Sequence, residues 1–233
     1  ENGIDKNIKF NTKINEAKWD SSTNTWTVTC HDNKTKKSVS YTAKYVISCL
    51  GYYNYDKGHT PKFNGVKNFK GEILHPQFWP ENYDYSGKEV VIIGSGATAV
   101  TLVPAMTDKA KHVTMLQRSP TYIASIPNRS LIPQAVLKNL PERVKYDLNR
   151  AAQIGLQVSS YNLCQNQPEL MKMYFRQHVK KQLPKGYDID KHFTPKYNPW
   201  DERLCAVPNG DLFKAIRSGK AEVVTDHIAK FVE

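Results

Sequence analysis

Cysteine is scarce in this 233-residue chain. The four present, Cys30, Cys49, Cys164 and Cys205, lie far apart and form no C-x-x-C pair. That argues against a disulfide framework and against a zinc site, and it makes a reducing, cytoplasmic setting the expectation. Cys49 sits in an apolar run and reads as a small core residue. Long hydrophobic runs are missing as well: none approaches the roughly 18 residues that cross a bilayer. There is no initiating Met and no signal-peptide pattern at Glu1. The histidines His31, His59, His112, His178, His192 and His227 show no metal-ligand spacing, so no metal is expected. No Ser-His-Asp set can be argued, and no internal repeat is visible.

Negative charge is in short supply: 33 Lys and Arg stand against 22 Asp and Glu, a formal charge of +11. Nucleic acid is the obvious partner for such a balance. The lysines are scattered, however, and no compact basic run with interleaved aromatics stands out, so no nucleic acid is expected. A solvated surface accounts for them best. Steering of a polyanionic cofactor and attraction to a membrane surface are the alternatives. Hydrophobic residues make up 39% of the chain, enough for a real core.

Along the chain, Trp26–Cys30 alternates as a half-buried strand does. Lys34–Lys37 is a polar turn, and Tyr41–Leu50 reads as a buried strand that ends at the Gly51 turn. From Tyr52 to Tyr85 the chain is rich in Gly, Pro, Asn and Tyr and is too long for an ordinary connection, which suits a functional loop or linker. Lys88–Ile93 is a β-branched strand whose pattern implies burial on both faces. A helix through about Thr107 and the strand His112–Gln117 complete a βαβ unit. Val136, Leu140, Val144 and Leu148 recur at helical spacing, with Pro141 beginning or interrupting a helix, and a second helix starts at Pro168. Core packing is the preferred reading of this helical stretch, with membrane contact through its amphipathic faces the other. Phe193–Pro208 reads as irregular. Asp211 is the expected N-cap of a short helix, and Glu222–Thr225 is a late strand. The fold class is therefore α/β.

The stretch Gly94-Ser95-Gly96-Ala97-Thr98-Ala99 has the form G-x-G-x-x-A between strand and helix. In a dinucleotide site Gly94 turns the chain, Gly96 lets the backbone approach a pyrophosphate, and Ala99 is small enough for helix–strand packing. The helix N-terminus then faces the phosphates. The next strand ends in Gln117-Arg118-Ser119, with no carboxylate to hold a ribose 2′-hydroxyl. Arg118 offers a charged fork and Ser119 a hydroxyl, which suits a 2′-phosphate and favours NADPH over NADH.

Ahead of that loop, Phe69-Lys70-Gly71-Glu72-Ile73-Leu74-His75-Pro76-Gln77-Phe78-Trp79-Pro80 fills the pattern F-x-G-x-x-x-H-x-x-x-W-P without a mismatch. This resembles the fingerprint of the Baeyer–Villiger, FAD-containing monooxygenases. The likeness continues through Gly94–Met106, His112–Tyr122, His192–Pro195 and Asn198–Cys205, and is strongest to the ethionamide-activating branch. It implies FAD and NADPH as cofactors. In that family NADPH reduces the flavin, O2 adds to it, and the peroxyflavin inserts one oxygen beside a ketone carbonyl; some members also oxidise the sulfur of thioethers and thioamides.

The resemblance assigns Gly94, Gly96 and Ala99 to the NADP loop, and Arg118 and Ser119 to the 2′-phosphate. Phe69, Gly71, His75, Trp79 and Pro80 fall on the fingerprint, which in the family couples domain movement to cofactor handling. Arg203 matches the active-site arginine that stabilises the anionic peroxyflavin and holds the nicotinamide, a catalytic role. Many relatives carry Lys just before that arginine. Here it is Glu202, which weakens the case for a second phosphate contact.

The organisation implied is a partial, β-rich FAD-domain segment over 1–54, a linker over 55–87, and a Rossmann-like NADP-binding domain over 88–233 with a helical insertion at about 131–190. The family's first glycine loop is not in this sequence, so the chain reads as a fragment that binds FAD poorly by itself. Two other functions stay open at this stage. One is a flavin monooxygenase that hydroxylates nitrogen or sulfur, disfavoured by Trp79-Pro80. The other is a non-catalytic basic module, which clustering of Lys172, Lys180, Lys181 and Lys185 on one face would support.

Overall fold

Alternation of apolar and polar side chains builds the first sheet. The computed structural model describes residues 3–233; Glu1 and Asn2, which open the expected FAD-domain segment, lie outside them. The chain divides into two units, Glu1–Gly58 and His59–Glu233. In the first, β1 (Thr12–Asp20), β2 (Thr25–Asp32) and β3 (Ser38–Ala43) form an antiparallel sheet in that order. Val28 and Cys30 of β2 are buried at alternate positions, as in a sheet covered on one face. Trp19 and Trp26 oppose each other across β1 and β2, ring centroids 5.6 Å apart. The polar turn forms as expected: Asp32 Oδ1 accepts from the Lys34 and Thr35 N–H groups at 2.8 and 2.9 Å.

The expected buried strand over Tyr41–Leu50 stops at Ala43. Tyr45 and Ile47 beyond it are both 87% exposed, and Cys49 is exposed rather than core. An apolar run becomes a buried strand only where neighbours take up its N–H and C=O groups. Among the described residues of this unit, no strand pairs with the part of the run beyond Ala43.

The second unit begins irregularly, as its Gly and Pro content predicts, with single 3₁₀ turns at Val66–Asn68 and Pro76–Phe78. Then follow β4 (Glu89–Ile93), α1 (Ala97–Met106), β5 (His112–Gln117), β6 (Tyr122–Ile126), α2 (Gln134–Leu137), α3 (Glu142–Asn166), α4 (Pro168–Lys180), α5 (Ile189–Phe193), β7 (Leu204–Pro208), α6 (Asp211–Arg217) and β8 (Ala221–Thr225). β4, β5 and β8 make a parallel sheet in the order β4-β5-β8, and β6 and β7 a separate parallel pair. The α/β class, the βαβ unit and the helical insertion between β6 and β7 are as the sequence predicts.

Burial on both faces of β4 is not found. Ile92, Met115 and Val223 share one core with Val103 of α1 and Leu212 and Phe213 of α6. Val91 and Ile93 point the other way and are 58% and 50% exposed. The helices α1, α5 and α6 all contribute to that single core, which leaves the opposite sheet face uncovered among the described residues.

Three more expectations change. Leu204–Pro208, read as irregular, is β7, in register with Tyr122–Ile126; its partner is distant in sequence, so no local pattern announces it. Gly210, not Asp211, is the N-cap of α6, at a left-handed φ of 65° that favours glycine. Asp211 Oδ1 instead accepts from the next N–H, that of Leu212, at 2.7 Å. Pro141 does begin α3, but the helix buries only Cys164. Val144, Leu148, Ile154, Val158 and Tyr161 are exposed, so the expected core packing fails there. Among the described residues no helix is long and apolar enough to cross a membrane.

Candidate functional site

At the end of β4 the chain turns through Gly94, whose φ of 131° is a conformation that side chains rarely adopt. Its N–H donates to the Leu116 carbonyl at 2.8 Å, closing the β4–β5 ladder. Gly96 is the N-cap of α1 and offers no side-chain cap. The first helical hydrogen bond is Val100 N–H to the Gly96 carbonyl, 3.1 Å. The N–H groups of Ala97, Thr98 and Ala99 therefore precede the intrahelical ladder, and the positive end of the helix faces the turn. Ala99 is buried, as the third position of the loop requires. Ser95 Oγ ties the loop to the segment after β5, at 2.9 Å from Thr121 Oγ1 and 3.4 Å from the Ser119 carbonyl.

A cleft of about 380 Å³ opens over this turn. Gly94, Ser95, Gly96, Arg118, Ser119 and Arg203 all line it, so residues from three separate parts of the sequence converge. A Cβ built on Gly96 would come within 2.9 Å of Arg203 Nη1, which puts the guanidinium against the loop. Among the described residues the arginine ion pairs are Arg143–Asp147 and Arg176–Asp190. Neither cleft arginine is neutralised by a carboxylate. Two uncompensated guanidinium groups beside a helix N-terminus make an anion site. Glu202 does not line the cleft.

The strand ends Ile93 and Leu116 also line the cleft, and Phe63 and the Asp226-His227-Ile228 segment, which no sequence pattern marks, complete the lining. Register explains that segment: Thr225 pairs with Gln117, and the Asp226 N–H donates to the Gln117 carbonyl at 3.0 Å. A strand at Glu222–Thr225 is legible, but not that it lies beside β5 and brings Asp226 into the lining of the cleft.

Behind the cleft a buried polar network holds the two strand ends. Gln117, 1% exposed, donates from Nε2 to the His192 carbonyl at 2.7 Å and to Thr225 Oγ1 at 2.9 Å. His192 Nδ1 meets the same hydroxyl at 2.8 Å. Burial, aided by Lys191 and opposed by Asp188, holds the imidazole below its ordinary pKa. On the other side of the loop, burial raises the Cys205 thiol, whose Sγ lies 3.8 Å from the Ser95 carbonyl.

The fingerprint residues gather elsewhere. Phe69 meets Phe231 edge-on at 5.8 Å, and Gly71 lies under the Phe69 ring. His75 Nδ1 accepts from the Gln77 N–H at 3.2 Å and so caps the turn that follows. Trp79 packs edge-on against Tyr83 and Tyr85, at 6.1 and 6.5 Å. The Pro80 carbonyl accepts from the Tyr83 N–H at 3.4 Å. Trp79 lines a second hollow of about 430 Å³ with Pro76, Ala97, Thr98, Thr101 and Leu102. The structure thus brings Pro76 and Trp79 of the fingerprint to the first turns of α1, and no fingerprint residue lines the cleft that holds the arginines. Among the lysines considered for a basic module, Lys172 is ion-paired with Glu169 at 2.8 Å.

A model of the flavin-binding monooxygenase-like family matches residues 1–172. The chain is 52% identical over 230 residues to the FAD-containing monooxygenase EthA of Mycobacterium tuberculosis, covering 98% of this chain and 47% of that protein. It is 52% identical over 231 residues to the probable FAD-binding monooxygenase AlmA of Acinetobacter baylyi, covering 99% and 46%. The chain spans about half the length of the curated relatives it matches. In fold it is similar to cyclohexanone-bound cyclohexanone monooxygenase, with a TM-score of 0.63 at 20% identity over 95% of this chain and 48% of that one. It is similar also to a steroid monooxygenase bound to NADP, with a TM-score of 0.64 at 18% identity over 95% and 47%.

Proposed function

This chain belongs to the flavin-binding monooxygenase-like family, and on that premise we propose that its glycine-loop cleft is the NADPH site of an FAD-dependent monooxygenase. The observation that carries the reading is the convergence of Arg118 and Arg203, neither paired with a carboxylate, on the open turn at Gly94–Gly96.

The residues fit a phosphorylated dinucleotide. The turn has no side chain at Gly96 to obstruct a pyrophosphate, and the N–H groups of Ala97, Thr98 and Ala99 supply donors with the helix dipole behind them. Arg118 and Ser119 would take the ribose 2′-phosphate, the guanidinium as a fork and the hydroxyl as a donor. Arg203 sets a fixed positive charge against the loop, where it would stabilise negative charge without reorganising. NADPH supplies a hydride; the protein's part here is to bind the nucleotide and orient it. FAD is the second cofactor of the proposal, and the cleft does not gather the residues that would hold it.

For the whole protein we propose oxygen insertion from O2 beside a ketone carbonyl, or oxidation of sulfur in a thioether or thioamide. The unbroken Phe69–Pro80 fingerprint supports this, as does the likeness to EthA and AlmA, which are named as FAD monooxygenases. A cytoplasmic enzyme with peripheral contact to a membrane surface is the finer part of the proposal. The exposed apolar side chains of α3, near Arg143 and Arg150, support that part.

Titration of the chain with NADPH and NADH tests the cofactor reading. NADPH is expected to bind more tightly, and Arg118→Ala to abolish the difference; an unchanged NADPH affinity in that variant sinks the 2′-phosphate site. For the whole protein, product analysis on a simple ketone under air should yield an ester. Sulfoxide without any ester would overturn the ketone reading.

A further inference from the structure

Tyr197 lies in the loop between α5 and β7, six residues before Arg203, and its hydroxyl donates to the Arg203 carbonyl at 2.7 Å. The same oxygen accepts from the Tyr122 N–H at 3.4 Å. Tyr122 and Leu204 are the first register pair of the β6–β7 ladder. The phenol therefore takes the place of one more rung, joining the N–H that opens β6 to the carbonyl just ahead of β7.

Tyr122 reciprocates. Its hydroxyl donates to the Tyr197 carbonyl at 3.0 Å, and the two rings meet edge to face with centroids 5.3 Å apart. Burial pushes the Tyr122 phenol up to about 12 and raises that of Tyr197 too, so both stay protonated donors. Thr121, the residue before Tyr122, has its Oγ1 2.9 Å from Ser95 Oγ in the glycine loop. Ser95 is thus tied to Thr121, and the N–H of the next residue, Tyr122, is tied through the Tyr197 hydroxyl to the backbone of Arg203. The loop and the arginine are both referenced to the start of β6.

We infer that Tyr197 is the positioning residue for Arg203: its hydroxyl fixes the start of β7 so that the guanidinium lies against the glycine loop, ready for an anionic group of a dinucleotide. The inference rests on the dinucleotide reading of the cleft. A long cationic side chain binds an anion well only when its root is held, since otherwise the order must be imposed on binding.

The test is a double-mutant cycle on NADP+ affinity in the full 233-residue chain. Arg203→Ala is expected to weaken binding about tenfold or more, and Tyr197→Phe about three- to tenfold. Tyr197→Phe in the Arg203→Ala background should cost nothing further, which a general loosening of the fold would not produce. Additive losses, or a Tyr197→Phe variant with wild-type affinity, overturn the inference. Should Tyr197→Phe fail to fold, Tyr122→Phe removes the reciprocal hydrogen bond and goes through the same cycle, with the same coupling expected and additivity again overturning it. A wild type that binds no NADP+ strikes the dinucleotide reading itself. A wild type that binds, weakens on Arg203→Ala and shows no coupling to Tyr197 strikes this inference alone.

Discussion

Arg203 Nη1 stands 2.9 Å from the point a Cβ at Gly96 would occupy. That is tighter than ordinary contact, yet the obstacle is the end of a flexible side chain, so the strain of Gly96→Ala is relieved by moving the guanidinium. The φ of Gly96 is −79°, open to any residue. Gly96→Ala should therefore fold with a stability change of less than about 1 kcal/mol. It should lose NADPH affinity by about tenfold or more, because it displaces one cation and fills the approach to the helix N-terminus. Thermal melting and a fluorescence titration measure the two quantities. Undiminished binding would mean that no phosphate passes over Gly96.

Asp226 is a negative charge in a cleft otherwise built for anions. It lines the cleft with Arg118 and follows Thr225, the register partner of Gln117. Asp226→Asn keeps an oxygen to accept from the His227 N–H, now met at 2.7 Å, and removes only the charge. NADPH affinity should rise by about 0.5–1 kcal/mol, and NADH affinity by less, since NADH lacks the 2′-phosphate. Titration of both nucleotides decides it; equal gains for the two would show that Asp226 does not discriminate at the ribose.

These two residues also mark how far the sequence could be read. The loop Gly94–Ala99, with Arg118 and Ser119 one strand later, is legible because strand, turn, helix and strand follow one another and glycine leaves a local signature. Arg203 was reached through the resemblance, since its delivery to the loop depends on β7 pairing with β6, residues far away in sequence. Asp226 was missed for the same reason: that β8 lies beside β5 is a tertiary fact. The errors over Tyr41–Leu50 and the outer face of β4 share another cause. β-branched and apolar runs report what a strand tolerates on its faces, whereas burial needs a partner layer, and none covers Ile47 or Ile93 among the described residues.

Gly71 has a steric reason for being glycine. Its Cβ would come within 2.5 Å of Phe69 Cζ and 2.6 Å of Cε1, and the Phe69 ring is itself held edge-on by Phe231. Gly71→Ala must turn that ring out, at a cost of about 1–3 kcal/mol. Denaturant midpoints should fall accordingly. Combining it with Phe69→Leu, which removes the crowded ring edge, should recover part of the loss; strict additivity of the two would show that they do not meet.

The half-buried imidazole of His192 predicts how stability depends on pH. Its pKa is held below the ordinary value of 6.5, first by burial and then by Lys191, with Asp188 pulling the other way. The unfolded ring therefore takes up a proton at a higher pH than the folded one. Stability from this group is fully present above about pH 6.5 and is lost as pH falls through and below that value, because the unfolded state binds more protons there. His192→Asn removes the titration while an amide replaces the ring beside Thr225 Oγ1, now 2.8 Å from Nδ1. The variant should be less stable at neutral pH, and its deficit should shrink between about pH 7.5 and about pH 5. Urea midpoints for the two proteins across that range give the difference directly. Carboxylates titrating at lower pH affect both proteins alike and cancel. Parallel curves throughout would mean that the folded and unfolded rings titrate together, and the account of His192 as a half-buried neutral link between α5 and β8 would be wrong.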